Sequence, residues 1–164
     1  MNTAAWSRAD SNPPTPDWIR VTLNGTYNIY SVITKGRQND DGGQLLQTVT
    51  EYELRYSTKD SADIAVRNSK YEIIRFPGNS DMTTKVENVL PDVIQATSVT
   101  LYPTAFLDRI SLRFEVMGCD YNECLDNPCP TDRVCRNTVG SYECQCTNGW
   151  TGPNNCGQYY FCNP

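Results

Sequence analysis

All eight cysteines of this chain fall between Cys119 and Cys162, and none lies in the first 118 of its 164 residues. So short a segment cannot bury enough apolar surface to hold itself together, and dense, even-numbered cysteines there read as a disulfide framework. Reducing cytosol would keep those sulfurs as thiols, so the spacing predicts folding in an oxidising, extracellular setting. Zinc is the competing use of clustered cysteines. It is a poor one here, because paired thiolate knuckles are missing and the chain contains no histidine. The cysteines therefore divide the chain into a cysteine-free part and a small bridged part.

The same absence of histidine removes the commonest general base and the usual partner of a serine or cysteine nucleophile, so catalysis is not expected. A net charge of -5 opposes attraction to nucleic acid. No apolar run approaches the ~18 residues of a spanning helix. Residues 1–8 have neither the basic start nor the apolar stretch of a secretory signal, so the chain reads as a piece of a longer secreted protein or ectodomain.

The first part reads as strands. Ile19, Val21 and Leu23 alternate with Arg20 and Thr22, while Tyr52, Leu54 and Tyr56 alternate with Glu51, Glu53 and Arg55. Period-two alternation puts one set on a buried face and the other in water. Further β-rich runs are Tyr27–Thr34, Tyr71–Phe76, Ser98–Tyr102 and Ser111–Met117, separated by turn-forming Gly, Pro, Asn and Asp. No amphipathic helical stripe competes, and the expectation is an all-β antiparallel sandwich or barrel. Asn24-Gly25-Thr26 is an N-glycosylation sequon, read as a hairpin turn between two strands.

Four segments carry more than pattern. Trp18-Ile19-Arg20-Val21-Thr22-Leu23, Val32-Ile33-Thr34-Lys35-Gly36-Arg37, Phe76-Pro77-Gly78-Asn79-Ser80-Asp81 and Ile110 through Cys119 occur in an order that resembles the discoidin family, the coagulation factor V and VIII type C domain. The resemblance implies a jelly-roll β-barrel whose loops at one end bind a cell-surface or matrix protein, a glycan or a lipid headgroup. It also implies that the chain lacks the first forty or so residues of that domain, which makes the barrel incomplete. Relatives place an acidic residue at the position of Thr22, able to balance a buried arginine such as Arg113. Of the ligand-end loops, Gln38–Thr48 survives in recognisable form, with Leu45 and Leu46 at its apex as candidate ligand contacts. Alternatively, these leucines open the next strand and pack inward. Asp40 and Asp41 in the same loop would oppose anionic headgroups.

The second part resembles an EGF-like domain, on the spacing of Cys124, Cys129, Cys135, Cys144, Cys146 and Cys156 followed after Cys146 by Asn148-Gly149-Trp150-Thr151-Gly152. Spacing alone leaves fifteen pairings open. The resemblance implies Cys124 with Cys135, Cys129 with Cys144, and Cys146 with Cys156. Asp120-Tyr121-Asn122-Glu123-Cys124 and Cys135-Arg136-Asn137-Thr138 match the calcium-binding subclass of that family. The match implies a Ca2+ site made by the side chains of Asp120, Glu123 and Asn137 with the carbonyls of Tyr121, Thr138 and Ser141, and it makes Asn137 a candidate for β-hydroxylation. Calcium wants six to eight oxygens, and these supply six.

The expected organisation is a discoidin-type domain over 1–119, a calcium-binding EGF-like domain over 120–156, and over 157–164 a linker that opens a further discoidin domain at Cys162-Asn163-Pro164. Cys119 would then bond an upstream cysteine, or alternatively Cys162. The expected function is extracellular adhesion or ligand binding, with the EGF-like part a calcium-loaded rigid spacer. The alternative is a non-catalytic glycan-targeting region of a larger secreted enzyme.

Overall fold

The structure, a computed structural model, describes residues 6–7 (backbone only), 17–37 and 47–146. It divides into two units, Met1–Cys119 and Asp120–Pro164.

The first unit is all β. Its strands are β1 (Trp6–Ser7), β2 (Ile19–Lys35), β3 (Thr48–Ser57), β4 (Ile64–Ala65), β5 (Arg75–Pro77), β6 (Val86–Leu107) and β7 (Ser111–Asp120). They form one seven-stranded sheet in the order β1-β7-β2-β6-β3-β4, with β5 added beside β3. β6 is the common member. It pairs antiparallel with β2 from Val86 to Leu101 and with β3 from Ser98 to Leu107.

Residues 98–101 are therefore hydrogen-bonded on both edges, and the alternation of the sequence sorts their side chains. Val99 lies between Val21 and Tyr56, and Leu101 between Ile19 and Leu54, on the face that makes the core. Ser98 and Thr100 point the other way. Thr100 is nonetheless buried, since it sits between Arg20 and Arg55 in the ladder and takes a 2.8 Å hydrogen bond from Arg20 Nε. Arg20 in turn lies over the Trp18 ring at 5.1 Å and Arg55 over Tyr102 at 5.0 Å, so the arginine stems cover the polar row.

The core continues through Ile29, Val32, Val49, Leu90 and Leu112, and Tyr52 stacks on Phe76 at 5.8 Å. The Tyr52 hydroxyl stays buried because Asn88 Nδ2 donates to it at 2.8 Å.

Three features differ from the sequence expectation. Asn24-Gly25-Thr26 is not a hairpin turn: β2 runs straight through it as one strand, and the register against β6 slips between Thr22 and Tyr27. The three residues lie in a bulge over Leu23–Thr26, where an extra stretch of one strand bows out while the ladder resumes beyond it. Within the bulge, Asn24 is exposed and accepts a hydrogen bond from the Tyr27 hydroxyl at 2.7 Å. The Tyr71–Phe76 run shrinks to Arg75–Pro77, because Tyr71 takes φ 64° in a turn closed by Asn68 Oδ1, which accepts from the N–H groups of Lys70 and Glu72. Ser98–Tyr102 grows into the 22 residues of β6.

In the second unit a single 3-10 turn, Glu123–Asp126, precedes the hairpin of β8 (Arg133–Thr138) and β9 (Ser141–Cys146). Asn122 caps the turn by accepting from Cys124 N–H. Bridges join Cys124 to Cys135 and Cys129 to Cys144, with Cα separations of 5.5 and 5.6 Å. Cys135 and Cys144 face each other across the hairpin, so both bridges fasten the preceding segment to one rung of the ladder. Leu125, Val134, Val139 and Tyr142 are exposed, which leaves the covalent links to do what an apolar core does elsewhere. Cys146 is buried and also disulfide-bonded, while its expected partner Cys156 lies outside the described residues, as does Cys162. Cys119 is exposed and has no disulfide partner among the described residues.

Burial pushes the Tyr52 hydroxyl up to about 12, against smaller opposing effects of Asn88 and Thr34. The unfolded chain ionises this group near 10, so the stability it contributes is complete below that pH and is lost as pH rises toward 12. Urea unfolding at pH 9 and 11, with Cys119 alkylated, should show a fall in stability that Tyr52→Phe reduces by up to about 1.4 kcal/mol per pH unit.

Candidate functional site

Two places on the chain collect chemistry-bearing residues. One is the end of the first unit where β2 leads out and β3 leads back. Leu45, Leu46, Asp40 and Asp41 of the intervening loop lie outside the described residues, but the loop's two feet are described. Arg37 N–H donates to Gln47 O at 3.3 Å and closes the base, and β3 begins at Thr48. Gly36 is buried at the outgoing foot: a Cβ there would lie 2.6 Å from Asp81 O and 3.1 Å from Thr48 Oγ1, so only glycine lets the two chains approach so closely.

Arg113 of β7 holds the same point. Its Nε and Nη2 donate to Gly36 O at 3.1 and 2.6 Å, and Nη2 also donates to Met82 O at 3.1 Å. The counter-charge looked for at position 22 is not how this guanidinium is satisfied. Thr22 is exposed on β2, and backbone carbonyls of two loops take the Arg113 donors instead. Asn79 is buried beside them and donates through Nδ2 to Thr34 O and Thr84 O. Asp81 closes the adjoining turn, its Oδ1 accepting from Thr84 N–H and Thr83 N–H at 2.6 Å each. The Thr84 backbone donor foremost, with the Thr84 side chain and Thr83 N–H, holds the Asp81 carboxyl down at about 2.

The second place is the start of the second unit. Asp120, the first residue of that unit, accepts from Gly140 N–H through Oδ1 at 2.7 Å and from Asn137 Nδ2 through Oδ2 at 3.0 Å. Asn137 Oδ1 accepts from Glu123 N–H at 3.3 Å. Gly140 has φ 77°, a conformation that suits glycine and turns its N–H away from the hairpin toward Asp120. Thr138 and Ser141 pair on either side of this turn.

Of the six candidate oxygen donors, the structure thus links the side chains of Asp120 and Asn137 directly, and ties Glu123 to them through its backbone N–H. Tyr121 lies between the two acids in sequence, and its hydroxyl donates to Asp126 at 3.0 Å. Sequence reasoning did not find Gly140, whose signal was its place between Val139 and Ser141 at the hairpin tip, or the use of Arg113 as a loop anchor.

Residues 1–116 match the F5/8 type C domain model, about seven-tenths of the chain. The chain belongs to that family. Residues 120–159 match the calcium-binding EGF domain. Among relatives, coagulation factor VIII of the dog (Canis lupus familiaris) is 30% identical over 120 residues, covering 72% of this chain and 5% of that protein. The EGF-like repeat and discoidin I-like domain-containing protein 3 of the mouse (Mus musculus) is also 30% identical, covering 73% of this chain and 24% of that one. The chain therefore spans a small part of the proteins it matches. Discoidin II of Dictyostelium discoideum, a solved structure, superposes with a TM-score of 0.56 at 23% identity over 73% of this chain and 43% of that one, which establishes the discoidin-type jelly-roll fold. An F5/8 type C domain followed by a calcium-binding EGF domain is a pair of extracellular, non-catalytic modules typical of adhesion and ligand-binding proteins. Discoidin-type domains bind carbohydrates, lipids or proteins. Among the described residues no helix is long and apolar enough to cross a membrane.

The second-unit cluster fits the cation that its family name implies. No three His, Cys, Asp or Glu side chains gather among the described residues. The donors here are two carboxylates and a carboxamide, the hard oxygens that calcium selects. Glu123 Oε2 is buried without a hydrogen-bond partner among the described residues, which leaves an acceptor for a cation to use.

Removing the loop anchor should be visible by proteolysis. Arg113→Met strips three charge-assisted hydrogen bonds from Gly36 and Met82. Tryptic cleavage after Arg37 should accelerate roughly tenfold, given about 1.5 kcal/mol or more for such bonds, while the near-ultraviolet circular dichroism of the core persists.

Proposed function

We propose that the chain is the binding and spacing portion of an extracellular adhesion protein, acting by recognition rather than catalysis. Its domains would run over 1–119 and 120–156, with 157–164 leading to a further module. In the first, the loop carrying Leu45 and Leu46 contacts a cell-surface or matrix ligand. The observation that supports this most directly is the mounting of the loop. Binding loops work when a rigid scaffold sets their ends, and here Gly36 is tied to Arg113 on one side while Arg37 and Gln47 close the base. Two leucines buried against a ligand would contribute about 1.5–3 kcal/mol each.

In the second domain, Asp120, Glu123 and Asn137 with the carbonyls of Tyr121, Thr138 and Ser141 would hold calcium. The cation supplies positive charge that neutralises the two carboxylates. The chain's own residues do the rest: Gly140 N–H orients Asp120, and the Cys124–Cys135 bridge fixes the segment bearing Glu123 against the hairpin bearing Asn137. Asp120 follows Cys119 directly, so no free residue separates the first ligand from the preceding domain. Loading the site would for that reason stiffen the connection. Asn24, exposed on its bulge, would carry the glycan, and Asn137 the hydroxyl group.

Calorimetry on the whole chain should detect calcium at ~0.1–1 mM, the range of extracellular modules. Glu123→Ala should weaken binding by about tenfold or more while the bridges stay intact, and no calcium heat in the parent would end this reading. For the loop, Leu45→Ser with Leu46→Ser in a protein containing the complete domain should lower binding to cells, glycans or lipid vesicles at least tenfold.

A further inference from the structure

The hydrogen bonds around Asp120 tie the start of the second unit to its hairpin. The Asp120 carboxylate has a donor on each oxygen, Gly140 N–H on Oδ1 at 2.7 Å and Asn137 Nδ2 on Oδ2 at 3.0 Å. The carboxamide that faces Asp120 with its nitrogen faces the 3-10 turn with its oxygen, which takes Glu123 N–H at 3.3 Å. One planar group therefore joins three separate stretches of chain: the first residue of the unit, the first turn, and β8. A carboxamide offers a donor on one side and an acceptor on the other. A carboxylate would supply the acceptor but place two negative oxygens against each other at Asp120.

We infer that Asn137 is a positioning residue: its Nδ2 donor offsets the negative charge of Asp120 and keeps the entry segment docked on the hairpin. This deepens the calcium reading and rests on it for the purpose the docking serves, while the docking itself rests on the hydrogen bonds of Asn137.

Asn137→Asp separates the two roles. Aspartate keeps oxygen ligands for a cation and an acceptor for Glu123 N–H, and it removes the donor to Asp120. The experiment is amide hydrogen exchange by NMR on the ¹⁵N-labelled whole chain in EDTA, then in about 10 mM calcium chloride, roughly tenfold above the ~1 mM upper end of the range for extracellular modules. In EDTA the wild-type Gly140 amide should be protected, and Asn137→Asp should speed its exchange about tenfold or more, since a charge-assisted hydrogen bond is replaced by repulsion. Amides of the Cys135 and Cys144 rung, held by disulfides, serve as the internal reference and should not change. Asn137→Gln, which carries donor and acceptor on a longer stem, should restore part of the protection, a rescue that general loosening of the hairpin would not give. Equal Gly140 exchange in wild type and Asn137→Asp in EDTA, with the reference rung intact, overturns the inference. Calcium reports separately on the other reading: it should return Asn137→Asp to wild-type protection, and failure to do so counts against calcium binding while the EDTA comparison still decides the role of Asn137.

Discussion

The first unit depends on β6 being paired along both edges at residues 98–101. A strand used by two neighbours at once has its backbone polar groups satisfied and both faces determined, so its alternation is imposed on β2 and β3 together. Val99 and Leu101 then place Val21, Ile19, Tyr56 and Leu54 on one side, and Thr100 places Arg20 and Arg55 on the other. The outer arginines lie over the Trp18 and Tyr102 rings, shielding a polar row that water would otherwise reach. From this register the loop end follows: β3 begins where β6 ends, opposite Leu107, and β2 ends at Lys35, immediately before Gly36. Arg113 meets that point from β7, so the mounting of the loop is a consequence of strand register and of one guanidinium with carbonyls to fill.

The second unit is organised by the opposite means. Its side chains bury little, and two bridges meeting at the Cys135–Cys144 rung replace a core. What the bridges leave undetermined is the position of the residues ahead of Cys124. Asp120 supplies that through two hydrogen bonds, one to the tip of the hairpin and one to its strand.

Much of this was legible in the sequence, for physical reasons that differ by residue. The alternation at Ile19–Leu23 and Tyr52–Tyr56 was readable because a half-buried strand must alternate. The length of β6 was not, since only Ser98–Tyr102 carried the β-rich signal, whereas in the structure the strand passes through Pro91 and Asp92, where the register against β2 jumps from Ile29 to Ser31, and resumes. Asn24-Gly25 read as a turn because that dipeptide tolerates the necessary dihedrals; pairing with β6 on both sides of it overrode the local preference. Tyr71 could not be anticipated, as an aromatic residue at φ 64° runs against its own steric preference and is held there by Asn68 and by the Arg67 guanidinium donating to Tyr71 O at 2.6 Å. At the candidate sites, the acidic residues and Asn137 were reached through the resemblance to calcium-binding EGF-like domains. The Gly140 N–H was invisible, because backbone donors have no letter in a sequence.

The interleaving of the two bridges has a mechanical meaning. By way of the Cys129–Cys144 bond, the shortest covalent route from Cys124 to Cys144 is five residues and one bridge, where the unbridged chain has twenty residues. At about 3.4 Å per extended residue, pulling on this stretch can lengthen it to only some 20–25 Å, against nearly 70 Å for a free chain. Melting every hydrogen bond in the hairpin would add almost no slack. A tether built from such a segment passes tension along its backbone as a tie rod does, so a pull applied at Cys144 reaches Cys124 with little of its displacement taken up in between.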